Sequence, residues 1–244
     1  MLGAVAKRIG GLFCVGALGS ALAAPLPPLV LEGGRIGEGW RVLGLPRQTK
    51  PLTQFTGETL DGRLAVRVDA QASYGNLVHN LVPGRAGSAP AQHLQWSWRV
   101  DVPNTAADLR SKNGDDTAVK VCVSFDLPME QLPFIERQKL RVMRDITDEP
   151  LPAATLCYVW DHKLPVGTLL DNAFTRRLRQ IVLRNAADGQ NQWRDERRDV
   201  AADFLRAFGD EATRMPSITA VIVGGDADNT GATTRAHVAD LHLE

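Results

Sequence analysis

The sequence predicts a mostly β protein, an antiparallel β-sandwich or jelly-roll-like fold with one or two short surface helices. Three observations predict it. Apolar and polar residues alternate with period two through much of Leu52 to Phe125, the spacing that gives a strand one apolar face. Turn-forming residues separate the successive runs. The strand–helix–strand rhythm of a parallel sheet is missing.

Taken in chain order, the first segment reads as a leader. Lys7 and Arg8 precede an uncharged apolar stretch, Ile9 to Leu22, and Ala21-Leu22-Ala23-Ala24-Pro25 offers an Ala-x-Ala exit. The run is shorter than the ~20 residues that cross a bilayer, so the expectation is a signal peptide over 1–24, a single domain over 25–244, and a periplasmic destination. Cys14 lies inside the apolar stretch without a lipobox context. The whole chain balances 28 basic against 28 acidic side chains, and loss of Lys7 and Arg8 leaves a small negative excess that offers nothing to nucleic acid.

Leu64, Val66 and Val68 alternate with Ala65, Arg67 and Asp69, and Asp61-Gly62 before them supplies the positive φ angles of a tight hairpin. Leu94, Trp96, Trp98 and Val100 form a second strand. Val119, Val121, Val123 and Phe125, alternating with Lys120, Cys122 and Ser124, form a third of half-buried type. Further strands are expected at Thr155–Trp160, Gln180–Arg184, Ile218–Val223 and His237–Leu243. The stretch Val82 to Gln92, with two prolines and two glycines, reads as a loop. One helix is expected from about Leu132 to Arg144, on the surface with one apolar edge. A second is capped by Asp199, carries Val200, Phe204 and Phe208 at four-residue spacing, and ends at Gly209. Cys122 and Cys157 lie mid-strand, where either a disulfide or two separate buried thiols would fit.

The double-tryptophan strand Trp96-Ser97-Trp98-Arg99-Val100, the pair Asp115-Asp116, the block Tyr158-Val159-Trp160, the stretch Trp193 through Arg198-Asp199-Val200 to Phe208-Gly209, and the terminal Asp226-Ala227-Asp228-Asn229-Thr230-Gly231 resemble, in order and spacing, the bacterial family called domain of unknown function 3047, or DUF3047. The resemblance runs from about Trp40 to Leu243. It implies an exported or envelope β-sandwich, and arginine at the position held here by Lys120.

Several clusters are candidates for chemistry. Asp226, Asp228 and Asn229 ahead of Gly231 place oxygen ligands where a hard cation such as calcium binds, but Thr230 and His237 occupy EF-hand positions that need other residues. A turn held by Asp and Asn side chains is the simpler reading, and no cofactor is expected. Asp115 and Asp116 point to opposite sides of the chain and cannot face each other. A catalytic pair would instead join Asp116 or Asp161 with Asp228. Arg198, within the alternating charges of Arg194–Asp199, offers a planar fork to an acidic group, although such a strip normally marks a solvated face. Trp160 and Trp193 stand at a strand end and in a loop, where an indole can stack on a sugar.

Serine-elbow, phosphate-loop, dinucleotide and zinc spacings are absent from the sequence. The leading expectation is a non-catalytic envelope domain binding a polar, saccharide-like ligand near Trp160, Asp161, Trp193, Arg198, Asp226, Asp228 and Asn229. The alternatives are an envelope polysaccharide hydrolase or lyase using paired aspartates, and a protein-interaction domain.

Overall fold

The computed structural model describes residues 26–81, 93–147 and 151–244. The expected leader and the Val82–Gln92 loop lie outside the described residues. The strands are β1 (Val30–Leu31), β2 (Arg35–Ile36), β3 (Trp40–Leu43), β4 (Gln54–Leu60), β5 (Arg63–Gln71), β6 (Tyr74–Asn80), β7 (His93–Val102) and β8 (Lys120–Phe125). Helix α1 (Phe134–Thr147) follows, then β9 (Ala154–Trp160), β10 (Leu169–Asp171), β11 (Leu178–Arg184), β12 (Arg194–Asp199), α2 (Val200–Phe208), β13 (Ile218–Asp226) and β14 (Thr233–Leu243).

Two sheets stack as a sandwich. A seven-stranded sheet runs β10-β11-β9-β8-β13-β6-β3, and a five-stranded sheet runs β12-β7-β14-β5-β4. Their facing sides bury Val66, Val68, Leu94, Trp96, Trp98, Val121, Val123, Tyr158 and Val238 in one core, the arrangement that period-two alternation dictates. Trp98 packs on Trp160 with ring centroids 5.7 Å apart, and Trp96 on Tyr158 at 5.3 Å. The β4–β5 hairpin turns through Asp61 (φ 51) and Gly62 (φ 79), as expected of an Asp-Gly pair. Asp199 caps α2 by accepting from the Ala202 amide at 2.9 Å, and Phe204 meets Phe125 at 4.7 Å, so α2 closes one end of the core.

Three features depart from the sequence reading. First, β9 and β11 pair in parallel, with β10 returning antiparallel on β11. Second, Arg194–Asp199 is solvated on one face only, through Asp195, Arg197 and Asp199, because it is the edge strand of the five-stranded sheet. Its inward side chains bridge the open edge: Glu196 accepts from Trp98 Nε1 at 3.1 Å and from Arg184 Nε at 2.6 Å. Third, β8 is buried on both faces, not half-buried. The segment 103–118 folds over its outer side and buries Leu109 against Cys122, Cys157, Val159 and Val182.

Cys122 and Cys157 are directly opposite on β8 and β9 and form a disulfide that closes a 35-residue separation. A bridge over that length removes denatured-chain freedom worth about 2–4 kcal/mol. Replacing both cysteines by alanine should therefore lower the unfolding free energy by about that amount, read from denaturant unfolding with and without reductant. Reductant should shift the wild-type curve and leave the variant's unmoved.

Candidate functional site

The seven-stranded sheet carries an unusual row on its outer face. Cross-strand register aligns Asn76 (β6), Gly224 (β13), Lys120 (β8) and Val159 (β9), with Tyr74 opposite Asp226 at the end of the β6–β13 pair. Gly224 lacks a side chain where one would collide with Asn76 Oδ1 and approach Lys120 Cε to 2.8 Å. The lysine can therefore lie flat across the strand.

Lys120 Nζ is 2.6 Å from Asp226 Oδ2, with the two side chains only 7% and 6% exposed. The ammonium also lies 5.0 Å from the centroid of the Tyr74 ring. Burial opposes the charged lysine, but the Asp226 carboxylate outweighs it and holds the pKa above its usual value. Burial also raises the Tyr74 hydroxyl. The other Asp226 oxygen accepts from the Thr117 amide at 2.8 Å, which pins segment 103–118 to the sheet.

Asp115 and Asp116 diverge, as their adjacency requires. Asp116 accepts from the Asn229 amide and Nδ2 at 3.2 and 3.1 Å, and from the Thr230 amide and hydroxyl at 2.7 and 2.6 Å. It thereby holds the β13–β14 connection in its turn, and both its oxygens are filled. Asp115 turns toward the outer face, where Asn172 donates to it and Gln180 lies near enough to oppose the rise in its pKa. Burial pushes its pKa up to about 6, Lys120 opposing and Asp226 adding to the rise.

Three acceptors around this centre meet no protein donor: Asn76 Oδ1, Gln180 Oε1 and Asp228 Oδ1. Asp228 approaches Asp116 and Asp226, with one oxygen of each within 4.8 Å of the others. Its pKa is raised by burial and by those two neighbours. The donor set fits a cation poorly, because Lys120 and the Thr117 amide already occupy the two oxygens of Asp226 and the turn donors saturate Asp116.

The residues singled out from sequence divide. Asp226, Asp228 and Asn229 converge here. Trp160 is buried against Trp98, and Asp161 closes the following turn by accepting from the Lys163 amide at 2.6 Å. Trp160, Asp161 and Asp116 line a pit of about 20 Å³, room for roughly one water and none for a sugar ring. Arg198 is committed to Asp203 through bonds of 2.8 and 2.7 Å, and Tyr158 donates to the same carboxylate at 3.0 Å. Trp193 lies on the other sheet, its ring 5.3 and 5.8 Å from the guanidinium carbons of Arg63 and Arg99. Tyr74, Asn76, Asn172 and Gln180 were not foreseen. One sequence signal was available: Lys120 is the lone charge in an otherwise uncharged strand and needs a buried partner.

A family model described as a protein of unknown function, DUF3047, matches residues 38–242. The chain belongs to that family. No curated protein sequence matches this DUF3047 chain. Among solved structures it is similar to the xyloglucanase domain of NopAA, a type three effector from Sinorhizobium fredii in complex with cellobiose. Identity is 9%, coverage 87% of this chain and 96% of that one, and the TM-score 0.43. It is also similar to the K3 cleaved adhesin domain of Lys-gingipain from Porphyromonas gingivalis, at 10% identity, 90% and 99% coverage and a TM-score of 0.37. No helix among the described residues is long and apolar enough to cross a membrane.

Two outcomes follow from the buried charges. Lys120→Met should destabilise by about 3–5 kcal/mol, because it strands Asp226, whereas the Lys120→Met/Asp226→Leu double variant should recover most of the loss in urea unfolding. Asp115 titrates higher in the folded state than the ordinary carboxylate value of 3.8. Between about pH 6 and 3.8 the folded state thus holds the extra proton, and stability from this group rises as pH falls through that window. Comparing urea midpoints across pH, Asp115→Asn should flatten this component; an unchanged profile would refute the assignment.

Proposed function

We propose that this DUF3047 domain is an exported, non-catalytic binding domain of the cell envelope that takes a polyhydroxylated, saccharide-like ligand on the outer face of its seven-stranded sheet. The observation that carries the reading is the trio of unpaired acceptors, Asn76 Oδ1, Gln180 Oε1 and Asp228 Oδ1, grouped around Lys120 and Asp115. A buried acceptor without a donor costs about 1–3 kcal/mol, and a ligand rich in hydroxyl donors offsets that cost. Partly exposed Asn76, Ile222 and Asp228 give such a ligand a polar and an apolar edge. The Cys122–Cys157 bridge supports an oxidising destination, in keeping with the leader read from the sequence and a periplasmic location.

The discriminating experiment is a thermal-shift panel of neutral and acidic oligosaccharides, with calcium as a separate arm. A binding saccharide should raise Tm by several degrees at saturation. Asn76→Ala/Asp228→Ala should abolish the shift; in the unliganded protein it removes the Asn76–Tyr74 hydrogen bond, about 1 kcal/mol and a few degrees of Tm. No response to any saccharide, or a response the double variant retains, would overturn the proposal.

One observation favours a second reading. Asp115, held protonated up to about pH 6 by burial, shares the outer face with Asp226, whose pKa burial also raises against the pull of Lys120, and glycoside hydrolysis uses one carboxyl raised in this way as its acid. In this reading the domain is an envelope polysaccharide hydrolase, with Asp115 in place of the Asp116 and Asp161 expected from sequence. Release of reducing ends from envelope polysaccharide, lost in Asp115→Asn, would replace the binding reading with it.

A further inference from the structure

Helix α1 is turned the wrong way for a helix that belongs only to a sandwich. It interrupts the connection between β8 and β9, which pair directly with each other, so the sheet closes without it. Leu140 is its buried residue. The same side presents Glu136, which pairs with Arg177 at 3.6 Å, and Arg144, which donates to the Leu151 carbonyl. The opposite arc carries Phe134, Ile135, Val142, Met143 and Ile146, each 46–69% exposed. An amphipathic surface helix normally buries such an arc.

The exposed arc continues onto a second segment. Arg47 Nη2 donates to the Ile146 carbonyl at 3.0 Å and ties the end of α1 to the chain between β3 and β4. That stretch exposes Leu43, Leu45 and Leu52 by 43–50%. Residues 41–52 hold three basic and no acidic side chains, and α1 holds four basic against two acidic. These two stretches thus hold an excess of five positive charges, three once the following Asp148 and Glu149 are counted, beside an apolar surface on a chain of zero net charge.

We propose that α1 and the adjoining 41–52 segment dock this protein, peripherally, on an anionic lipid surface. The apolar arc enters the headgroup–acyl boundary, while Arg41, Lys50, Lys139 and Arg141 meet lipid phosphates. This division of labour is that of interfacial helices, in which apolar burial and basic attraction act together. The net positive charge selects a lipid surface over a second copy of the chain, which would bring the same cations face to face.

Peptide-resolved hydrogen exchange on the full chain tests this, because a vesicle-bound leader is read separately. Vesicles of phosphatidylglycerol and phosphatidylethanolamine should slow exchange in the peptides covering 134–147 and 41–52, whereas phosphatidylcholine vesicles should do so weakly. Lys50→Gln/Arg141→Gln should weaken vesicle binding about thirtyfold, taking ~1 kcal/mol per basic residue. Val142→Glu/Met143→Glu should remove the protection of α1 with Tm unchanged, since both side chains are exposed. No lipid-dependent slowing, or protection that depends on protein concentration without lipid, would overturn the proposal, the second result pointing to self-association.

Discussion

The ion pair of Lys120 with Asp226 constrains the outer half of the molecule. Neither charge has water to fall back on, and a buried charge without its partner costs several kcal/mol. The surrounding chain answers that requirement. Gly224 gives the lysine room, the Tyr74 ring faces the ammonium, and the Thr117 amide completes Asp226. Thr117 in turn carries its hydroxyl to the Trp160 carbonyl at 3.2 Å, and Asp116 beside it fixes the β13–β14 turn. A strand pair, a covering loop and a turn are thus registered by one contact between β8 and β13.

The opposite sheet solves the same electrostatic problem differently. Its outer face is a lattice of short pairs. Arg67 meets Glu58 at 2.6 Å and Asp69 at 2.7 Å, Arg99 meets Asp61 and Asp101 at 2.7 Å each, and Arg235 meets Asp69 at 2.7 Å. Buried His237 is held by Glu58 at 2.8 Å within that lattice. Trp193 lies over it beside two arginines, which explains its half-burial without a ligand. Each guanidinium is shared among acids, and such side chains have few hydrogen bonds left for a partner. The same holds at the sandwich edge, where Arg198 is consumed by Asp203.

Local periodicity made the strands legible, and local chemistry made the caps legible. Trp96 and Trp98 declared a buried face because their spacing of two leaves no other common side, and Asp199 with Gly209 bounded α2 for equally local reasons. The site depended on facts that spacing does not carry. Gln180 stands opposite Cys157 on the outer face only because β11 runs parallel to β9 in that register, and the alternation of β11 is the same in either direction. Lys120 looked solvent-facing because the covering segment 103–118 has no periodicity of its own. Arg198 finds Asp203 five residues on across a strand-to-helix junction, a spacing that neither element alone predicts. For α1 the residue spacing shows an apolar edge, but which side of the helix is buried depends on what it packs on, and only Leu140 is buried.

The two outer faces therefore differ in what they leave undone. On the five-stranded sheet, opposite charges close on one another at 2.6 to 2.7 Å through the central lattice. On the seven-stranded sheet, three oxygen acceptors stay without donors while Lys120 and Asp226 saturate each other beneath them. A folded chain retains an unsatisfied buried acceptor only when the surrounding contacts over-determine its position. Here the over-determination is explicit: Asn76 is held through Tyr74, Gln180 lies within the β9–β11 pair, and Asp228 sits in a turn that Asp116 locks. Those acceptors are presented by groups that cannot relax to pair with one another, so each keeps a hydrogen-bonding valence that no protein donor fills.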